Sequence, residues 1–318
     1  MIIKHRNKPA KIAGYEALLK RLPAHHEKRR AIQDHLNNAR AGLGGEERVD
    51  RLMKAFDPPY PYLLLQDVEL PNECQIDLLL ITPGTLVLME VKNIAGRLRF
   101  SENPSALHQL APTGELKGLK SPVVQMETAE MKITKLLEHL DFPLRIQSVI
   151  IIAYPSQIVE NVPPGTKIWS ADEVLIRLNQ LEMPKKRITT EQMKTVGEYF
   201  LSVQQPYNPF PLAPKFSILL DEIENGVYCP RCRLRKMDRF VRKWECKSCY
   251  LLSSDAHFDA IEEWFMICKP TITTKECQKF IGIADLDTAK RILKRMGLAE
   301  IGGRRNRQYT LKYLNKTE

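Results

Sequence analysis

The chain lacks any run that approaches the roughly 18 consecutive apolar residues of a membrane-spanning helix. Its first residues are basic, but they contain neither a continuous apolar segment nor a small-residue cleavage site, so we expect no signal peptide. Internal repeats and low-complexity tracts are also missing from the sequence. We therefore expect neither a membrane-spanning protein nor a membrane partner.

Cysteine is scarce, and its distribution does not suggest a disulfide framework. The chain has seven cysteines, of which four form two Cys-x-x-Cys pairs and three (Cys74, Cys268 and Cys277) are scattered. This pattern is typical of a reducing compartment and a bound metal. We therefore expect a cytoplasmic protein.

Acidic residues are outnumbered by basic ones. The formal net charge is +10 at pH 7 and the sequence pI is about 9.2. This excess favours a polyanionic partner, because Lys and Arg gain affinity by releasing counterions from phosphate. A basic protein that is merely soluble is the alternative. We expect no small-molecule substrate.

The length of 318 residues accommodates two or three domains. Four prolines within 204–215 predict a linker. The predicted segments are a basic helical N-terminal extension (1–40), an α/β domain (41–204), a Pro-rich linker (205–225), a cysteine module (226–252) and a helical unit with a basic hairpin (257–314).

Hydrophobic periodicity predicts the elements of the α/β domain. We expect a helix that starts near Gly44 and Gly45 and ends at Pro58 and Pro59. The order of elements predicts an α/β fold with a mixed sheet flanked by helices. The other expected elements are strands at 62–68, 74–81, 86–92 and 98–100, a polar loop to about 120, a helix over 123–140, strands at 146–153 and 167–169, and helices over 171–181 and 190–203.

Two acids and a lysine lie on adjacent apolar strands. If Pro83 and Gly84 form a two-residue turn, paired residue numbers sum to 167 and Asp77 faces Glu90. Lys92 then shares a face with Glu90, because side chains alternate along a strand. Pro-Gly favours a type II turn, which fits a hairpin less well, so a longer loop stays open. The shared face survives an even shift in register and fails with an odd one.

Facing residues in an antiparallel pair have Cβ atoms about 4.5–5.5 Å apart, so two facing carboxylates repel each other, and a divalent cation relieves that repulsion. Mg²⁺ prefers oxygen ligands and is commonly held by one or two carboxylates together with substrate phosphate. A neighbouring lysine can orient the attacking water or neutralise charge on the phosphate. The alternative is an ordinary edge hairpin with a solvated Lys92 salt bridge. The apolar residues around the acids favour the catalytic interpretation, because buried acids are costly unless they serve a site.

Four sequence blocks occur in order over about residues 42–150 and carry a family resemblance. They are Gly42-x-x-Gly45-Glu46-x-x-Val49, Gln75-Ile76-Asp77, Glu90-Val91-Lys92-Asn93-x-x-Gly96 and Pro122-x-x-Gln125. Together they resemble the NERD (nuclease-related) domain family, a branch of the restriction-endonuclease-like superfamily, which implies a restriction-endonuclease-like mixed sheet.

The resemblance also implies roles for individual residues. Asp77 and Glu90 would coordinate Mg²⁺ or Mn²⁺, and Lys92 would assist the nucleophilic water. Glu46 on the first helix would be an additional acidic residue near the metal, and Gln125 would reach towards the same centre. The alternatives are a helix N-terminal charge that favours the dipole for Glu46 and a solvated helix residue for Gln125.

The two cysteine pairs, Cys229 with Cys232 and Cys246 with Cys249, are separated by thirteen residues. This spacing predicts a closed, tetrahedral and structural Zn²⁺ site, and the segment resembles a zinc ribbon. A redox pair and an iron–sulfur site are the alternatives.

Ten basic residues in the cysteine module and the C-terminal unit are candidates for nucleic-acid contact. Helices at 258–268, 274–280 and 287–296 with a terminal hairpin resemble a winged helix-turn-helix domain, whose third helix enters the major groove. A solvated basic face and a winged helix that binds protein are the alternatives. The candidates are Arg231, Arg235, Lys236, Lys290, Arg291, Lys294, Arg295, Arg304, Arg305 and Arg307.

Two functional hypotheses follow from these patterns. The leading one is a metal-dependent DNA nuclease that hydrolyses phosphodiester bonds with metal-activated water and is targeted by the zinc ribbon and the winged helix. The competing one is a non-catalytic DNA-binding protein that uses the nuclease-like fold as a scaffold. RNA is not excluded as the substrate.

Overall fold

The computed structural model of the protein describes residues 1–72, 74–185, 187–233, 235–303 and 305–312. The strands are β1 (Ile2–Lys4), β2 (Leu63–Leu70), β3 (Cys74–Ile81), β4 (Thr85–Lys92), β5 (Arg97–Glu102), β6 (Ser105–Leu110), β7 (Leu116–Lys120), β8 (Arg145–Ile152), β9 (Ile158–Glu160), β10 (Ile168–Ser170), β11 (Asp238–Phe240), β12 (Lys243–Glu245), β13 (Leu252–Ser253), β14 (Ala299–Ile301) and β15 (Gln308–Thr310). The helices are α1 (Ala10–Arg21), α2 (Arg29–Met53), α3 (Pro122–Leu137), α4 (Val174–Asn179), α5 (Thr190–Ser202), α6 (His257–Ile267), α7 (Thr274–Ile281) and α8 (Leu286–Arg295).

The chain divides into two compact units. The first consists of Met1–Lys8 and Arg40–Tyr207, and the second of Pro9–Ala39 and the described residues from Asn208 onward. Helix α2 crosses this division, so each unit contains part of it. The five segments predicted from the sequence are a finer division, and their bounds stay a prediction.

A mixed sheet forms the centre of the first unit. Its strand order is β1–β2–β3–β4–β8–β10. Strands β2, β3 and β4 are antiparallel neighbours, whereas β1 runs parallel to β2, and β4, β8 and β10 run parallel to one another. Strands β3 and β4 are buried along almost their whole length, which explains their continuous apolar runs. The predicted mixed α/β fold is thereby confirmed.

Helices cover both faces of this sheet. On one face, α3 and α5 contribute Ile133 and Phe200 to a core that includes Leu88 of β4. On the opposite face, α2 and α4 contribute Val49 and Val174 to a second core. Each face of the sheet thus has its own helical layer and its own core. A side chain of β3 or β4 can therefore be assigned to a face by the core into which it packs.

A second sheet occupies part of the segment that we expected to be a polar loop. Strands β5, β6 and β7 form an antiparallel meander, and β9 pairs in parallel with β5. The loop prediction was therefore wrong for β6 and β7. Strand β7 is largely exposed and β6 contributes one fully buried side chain, Leu107, so their sequences lack the apolar alternation that indicates a strand.

The helix expected to start near Gly44 starts earlier. Helix α2 runs without interruption from Arg29 through both glycines to Met53. A Cβ atom added at Gly45 would lie 2.6 Å from the Cβ of Asn93 and 3.1 Å from the Cβ of Ala153, whereas one at Gly44 would meet nothing within 4 Å. Gly45 therefore allows the helix to approach the ends of β4 and β8 closely, and the glycine pair does not mark a helix boundary.

The two glycines allow a paired test of this contact. We expect Gly45→Ala to lower the free energy of unfolding by about 1–3 kcal/mol, because overpacking a close contact is destabilising and the Asn93 Cβ cannot rotate away. Gly44→Ala is expected to raise it by up to about 1 kcal/mol through helix propensity. Urea denaturation of both variants measures the difference. Equal effects would show that the approach at Gly45 is not tight.

The first residues of the chain are not helical. Helices over 10–21 and from 29 onward agree with the basic helical extension that we expected, but Ile2–Lys4 forms the parallel edge strand β1 beside β2. Three residues are too few for a periodic signal, and their partner strand lies about sixty residues away. This strand leads directly to Arg6, which proves important for the candidate site.

The second unit is organised around a buried arginine. The side chain of Arg21 is fully buried, its Nε lies 2.7 Å from Glu263 of α6, and its guanidinium stacks 4.4 Å from the ring centre of Phe280. It also donates to the backbone carbonyls of Glu224 and Gly226. A single side chain thus joins α1, α6, α7 and the segment that precedes the cysteine module.

The proline-containing stretch is structured in part. It contains short 3-10 helices at Ala213–Phe216 and Leu220–Glu222. Three helices follow the cysteine module, and α7 begins with a capping box between Thr273 and Glu276. Strands β14 and β15 form an antiparallel hairpin.

None of the helices in the described part of the chain combines the length and the apolar character that a membrane crossing requires.

Candidate functional site

The hairpin of β3 and β4 has the predicted register. Thr82 donates its backbone N–H to the carbonyl of Thr85 over 3.0 Å, which closes a two-residue turn. The pairs run from Ile81 with Leu86 to Leu78 with Met89, and each sums to 167. The longer loop that the sequence left open is not formed. Asp77 and Glu90 occupy the next position, beyond the last pair of this ladder.

Asp77 lies at an irregularity of the sheet. Opposite Asp77, Asp67 of β2 has a left-handed φ of 56°. The residues on either side of Asp77, Ile76 and Leu78, pack into the two cores on opposite faces of the sheet. In a regular strand these two residues would share a face. The Asp77 carboxylate accepts the backbone N–H of Val91 over 2.7 Å. Its side chain therefore points along the sheet towards β4, at the place where β3 and β4 separate.

Glu90, Lys92 and Gln125 form a closed triangle of hydrogen bonds. Lys92 Nζ lies 2.6 Å from Glu90 Oε1 and 3.1 Å from Gln125 Oε1, and Gln125 Nε2 donates to Glu90 Oε1 over 2.7 Å. Glu90 and Lys92 share the face covered by α3, as strand alternation requires. The amide of Gln125, one turn into α3, thus holds both the carboxylate and the ammonium group.

The carboxylates at this point are poorly solvated. Asp77 and Glu90 are each 6% exposed. Burial raises the pKa of Asp77 well above its usual value, and the negative charges of Glu90 and Glu46 raise it further. A group that stabilises negative charge here would therefore gain a large interaction energy.

Arg6 is a member of the site that sequence reasoning missed. Its guanidinium lies 2.7 Å from Glu46 and 2.8 Å from Asp50, both on α2, and it donates to the backbone carbonyl of Asp77 over 2.8 Å. Burial lowers the pKa of Arg6, but the hydrogen bond to Asp50 and the negative charges of Glu46, Asp50 and Asp77 together raise it above its usual value. Arg6 thus neutralises Glu46 and Asp50 and bonds to the backbone of Asp77. No local signal indicated Arg6, because its contacts lie 40 or more residues away.

The four cysteines lie together in the second unit. Their sulfur atoms lie within 4.8 Å of one another, and Cys229 and Cys249 are 3.5 Å apart while Cys232 and Cys246 are 3.7 Å apart. Four sulfurs at about 2.3 Å from a tetrahedral Zn²⁺ would be about 3.8 Å apart. The cluster could therefore hold a metal ion, and with the small sheet of β11, β12 and β13 it is compatible with a zinc ribbon.

Local backbone bonds favour the thiolate form of Cys246. The backbone N–H groups of Cys249 and Ser248 lower the pKa of the Cys246 thiol to about 7. A thiolate is the form that binds metal. The turn that begins at Cys246 therefore favours metal binding through its backbone as well as its sulfurs.

A buried histidine supports the cysteine module. The indole N–H of Trp244 donates to Nδ1 of His257 over 3.0 Å, and both residues are buried. Desolvation, together with the positive charges of Arg239 and Arg295, lowers the pKa of His257 to about 4. Protonation at Nδ1 would break the bond to Trp244, so the folded unit requires the neutral ring.

This pKa predicts an acid-sensitive unit. Because the folded-state pKa lies below the unfolded value of 6.5, stability is complete above pH 6.5 and falls as the pH falls towards 4. At pH 5 the contribution of His257 should be about 2 kcal/mol less favourable than at pH 7.5. Unfolding free energies of the protein and of His257→Gln, which keeps a hydrogen-bond acceptor, measure this difference. If the unfolding free energy of His257→Gln depends on pH in the same way as that of the unmodified protein, the prediction is wrong.

The predicted nucleic-acid contacts are mostly at the surface. Of those in the cysteine module, Arg231, Arg235 and Lys236 are exposed, although Lys236 is paired with Glu224 at 2.8 Å. On α8, the side chains of Ala289, Ile292 and Leu293 are buried, and the basic residues on the remaining surface are exposed. These exposed residues are Lys290, Arg291, Lys294 and Arg295.

The hairpin of β14 and β15 presents fewer exposed basic side chains than expected. Arg305 is exposed, whereas Arg307 is partly buried and lies 3.2 Å from Glu300. Arg304 lies outside the described residues. The order of three helices and a hairpin agrees with the predicted arrangement, but its role in binding nucleic acid stays a prediction.

Comparison with known proteins gives one family. Residues 41–153 match the family model of NERD, the nuclease-related domain. No curated protein and no solved structure matches the chain. The match confirms the resemblance drawn from the sequence blocks, and it covers Glu46, Asp77, Glu90, Lys92 and Gln125.

Proposed function

We propose that the nuclease-related domain of this chain is a divalent-metal-dependent DNA nuclease that hydrolyses phosphodiester bonds. The observation that carries the proposal is the triangle of Glu90, Lys92 and Gln125 next to the buried carboxylate of Asp77, where the pairing of β3 and β4 ends. It combines acidic oxygens and a fixed ammonium group beside a cavity that Gln125 lines.

The residues fit a hard divalent cation. Asp77 and Glu90 supply carboxylate oxygens, which Mg²⁺ and Mn²⁺ prefer, and one or two carboxylates are typical for Mg²⁺ that also contacts phosphate. Burial, and then the charges of Glu90 and Glu46, raise the pKa of Asp77, and a bound cation would relieve these effects. Arg6 lowers that pKa as the last of its causes, because Arg6 bonds to the backbone carbonyl of Asp77 and not to the carboxylate. Such an ion would activate a water nucleophile and polarise a phosphoryl oxygen.

Lys92 provides the fixed positive charge of the proposed mechanism. Its ammonium group is oriented by Glu90 Oε1 and Gln125 Oε1, which leaves a third N–H for another acceptor. That donor can orient the attacking water or bind a phosphate oxygen as negative charge develops on it. The side chain is 20% exposed, so substrate can reach it.

Gln125 and Glu46 assist from the two sides of the sheet. Gln125 positions Lys92 and Glu90 relative to each other. Glu46 is held by Arg6, and its charge contributes to the raised pKa of Asp77. We propose that Glu46 tunes the charge of the centre and that Asp77 and Glu90 are the ligands.

The second unit would bring DNA to this domain. The exposed basic residues of α8 are suited to the major groove, and those of the cysteine module to phosphate contact. We propose Zn²⁺ as the ion held by the four cysteines, because a four-thiolate tetrahedral shell is the structural zinc geometry.

A cleavage assay tests the proposal. The full chain, with its zinc retained, would be incubated with labelled DNA in the presence and absence of Mg²⁺ or Mn²⁺, beside Asp77→Ala and Lys92→Ala. We expect metal-dependent cleavage that both variants lose while they keep DNA binding. Tight, salt-dependent binding without cleavage of any DNA or RNA substrate would overturn the nuclease proposal and support a non-catalytic DNA-binding protein.

A further inference from the structure

The small sheet of the cysteine module has two different faces. Arg239 pairs with Trp244, and Trp244 with Ser253, across β11, β12 and β13. The Trp244 side chain is buried and bonds to His257 of α6. Because side chains alternate along strands, the neighbouring positions on each strand point the other way, towards solvent.

This second face exposes large apolar side chains. Phe240 is 70% exposed and Leu252 is 56% exposed, and the adjacent turns expose Val241 at 77% and Tyr250 at 78%. Phe240, Tyr250 and Tyr207 are the large exposed aromatic side chains of the described chain, so two of the three lie within eleven residues of each other. Exposed apolar patches of this kind mark interaction sites on soluble proteins.

The module that carries the two aromatic residues has an excess of positive charge. The stretch 229–253 contains eight Lys and Arg residues against two Asp and Glu residues. Lys243 is the cross-strand neighbour of Phe240 on this face. Asp238 and Glu245 pair with each other on the same face, and Glu245 is neutralised by Lys247 at 2.5 Å. Tyr250 lies close enough to Lys247 to add to the raised pKa of that lysine, whose first cause is the hydrogen bond to Glu245. Arg242, in the intervening turn, is also exposed.

We propose that this face binds single-stranded nucleic acid, with unpaired bases stacked on Phe240 and Tyr250 and the backbone held by Arg242, Lys243 and Lys247. Proteins that bind single strands combine a positively charged surface with aromatic platforms in this way, because every base has a π-face. Paired bases in a duplex do not present those faces. The excess of cations selects a polyanion over an apolar peptide or a second copy of this basic chain. The proposal does not depend on cleavage by the nuclease-related domain, since binding is measured directly.

Fluorescence anisotropy of the zinc-loaded full chain, without added Mg²⁺, tests the site with a 20-nucleotide DNA strand, an RNA strand of the same sequence and the DNA duplex. We expect Phe240→Ala and Tyr250→Ala each to weaken single-strand binding about tenfold, and the double variant about 100-fold. Duplex binding should change by less than about twofold. The DNA and RNA arms show which sugar the face prefers, and a loss in either one supports the proposal.

Matched variants separate stacking from other effects. Phe240→Trp should keep the affinity for the single strand, whereas Phe240→Leu, which keeps apolar area but no ring, should lose as much as the alanine variant. Val241→Ala, at a more exposed but non-aromatic neighbour, should bind normally. Zinc content and circular dichroism confirm that each variant is folded. Wild-type binding by Phe240→Leu, equal losses on duplex and single strand, or self-association of the protein that disappears in Phe240→Ala would each overturn the proposal.

Discussion

Replacing Lys92 with methionine is expected to reduce the rate of DNA cleavage by about 10²- to 10⁴-fold, the range that loss of one positioned catalytic group produces. Methionine has similar length but lacks the ammonium group, so the loss reports on charge rather than volume. The Gln125 amide would still donate to Glu90, which limits disturbance of that carboxylate. Single-turnover cleavage of labelled DNA at saturating Mg²⁺ measures the effect, and DNA affinity should change little.

A second lysine of the same domain provides the control for this prediction. Lys132 lies on α3 and lines the same cavity as Gln125, but its ammonium group donates to the backbone carbonyl of Asn72 over 2.6 Å and not to Glu90. We expect Lys132→Met to reduce cleavage by less than about tenfold. Equal losses in the two variants would show that the domain needs general positive charge and that Lys92 has no special role. Undiminished cleavage by Lys92→Met would remove Lys92 from the mechanism.

From residue pattern alone, the part of the candidate site that sequence could predict is the part set by one hairpin, whereas Gln125, which contacts Glu90 and Lys92, was indicated only by the family resemblance. The alternation of side chains predicts that Glu90 and Lys92 share one face, and in the structure Lys92 Nζ lies 2.6 Å from Glu90 Oε1. The register followed from the two-residue turn. The orientation of Asp77 did not follow, because it depends on a left-handed residue of the neighbouring strand, Asp67. A periodic pattern assumes regular strands, and an irregularity supplied by a partner strand is not visible in it.

Contacts between distant segments account for the other omissions. Arg6 reaches α2 and β3 because β1 pairs with β2, and neither the pairing nor the ion pairs have a local sequence signature. Similarly, the pattern around Gly44 and Gly45 predicts the start of a helix, whereas α2 runs through both glycines. The neighbours of Gly45, Asn93 and Ala153, show that the tertiary contact determines the residue type. Glycines and buried charges therefore require knowledge of the packing partner, whereas apolar periodicity gave most of the large helices and strands.

Replacing Cys246 with serine is expected to remove bound zinc and to unfold the cysteine module. A structural zinc ion contributes about 10–16 kcal/mol in small zinc modules, far more than the core of a segment as short as 229–253 can provide. Backbone N–H groups favour the thiolate of Cys246 and lower its pKa to about 7, whereas a serine hydroxyl stays neutral at this pH and cannot replace the thiolate. Zinc content per chain and trypsin digestion, with cleavage sites located by mass spectrometry, measure the two effects.

The eight Lys and Arg residues of the module make trypsin an appropriate probe, since each becomes a cleavage site once the segment unfolds. Cys277→Ala is the matched control, because this thiol is fully buried in α7 and lies outside the four-cysteine cluster. It should keep its zinc and resist cleavage within 229–253. The Cys246 variant should also lose single-strand binding, because Phe240 and Tyr250 need the folded sheet to hold them beside Lys243 and Lys247. Retention of zinc and of trypsin resistance by Cys246→Ser would show that the fold of the module does not depend on a four-thiolate metal site.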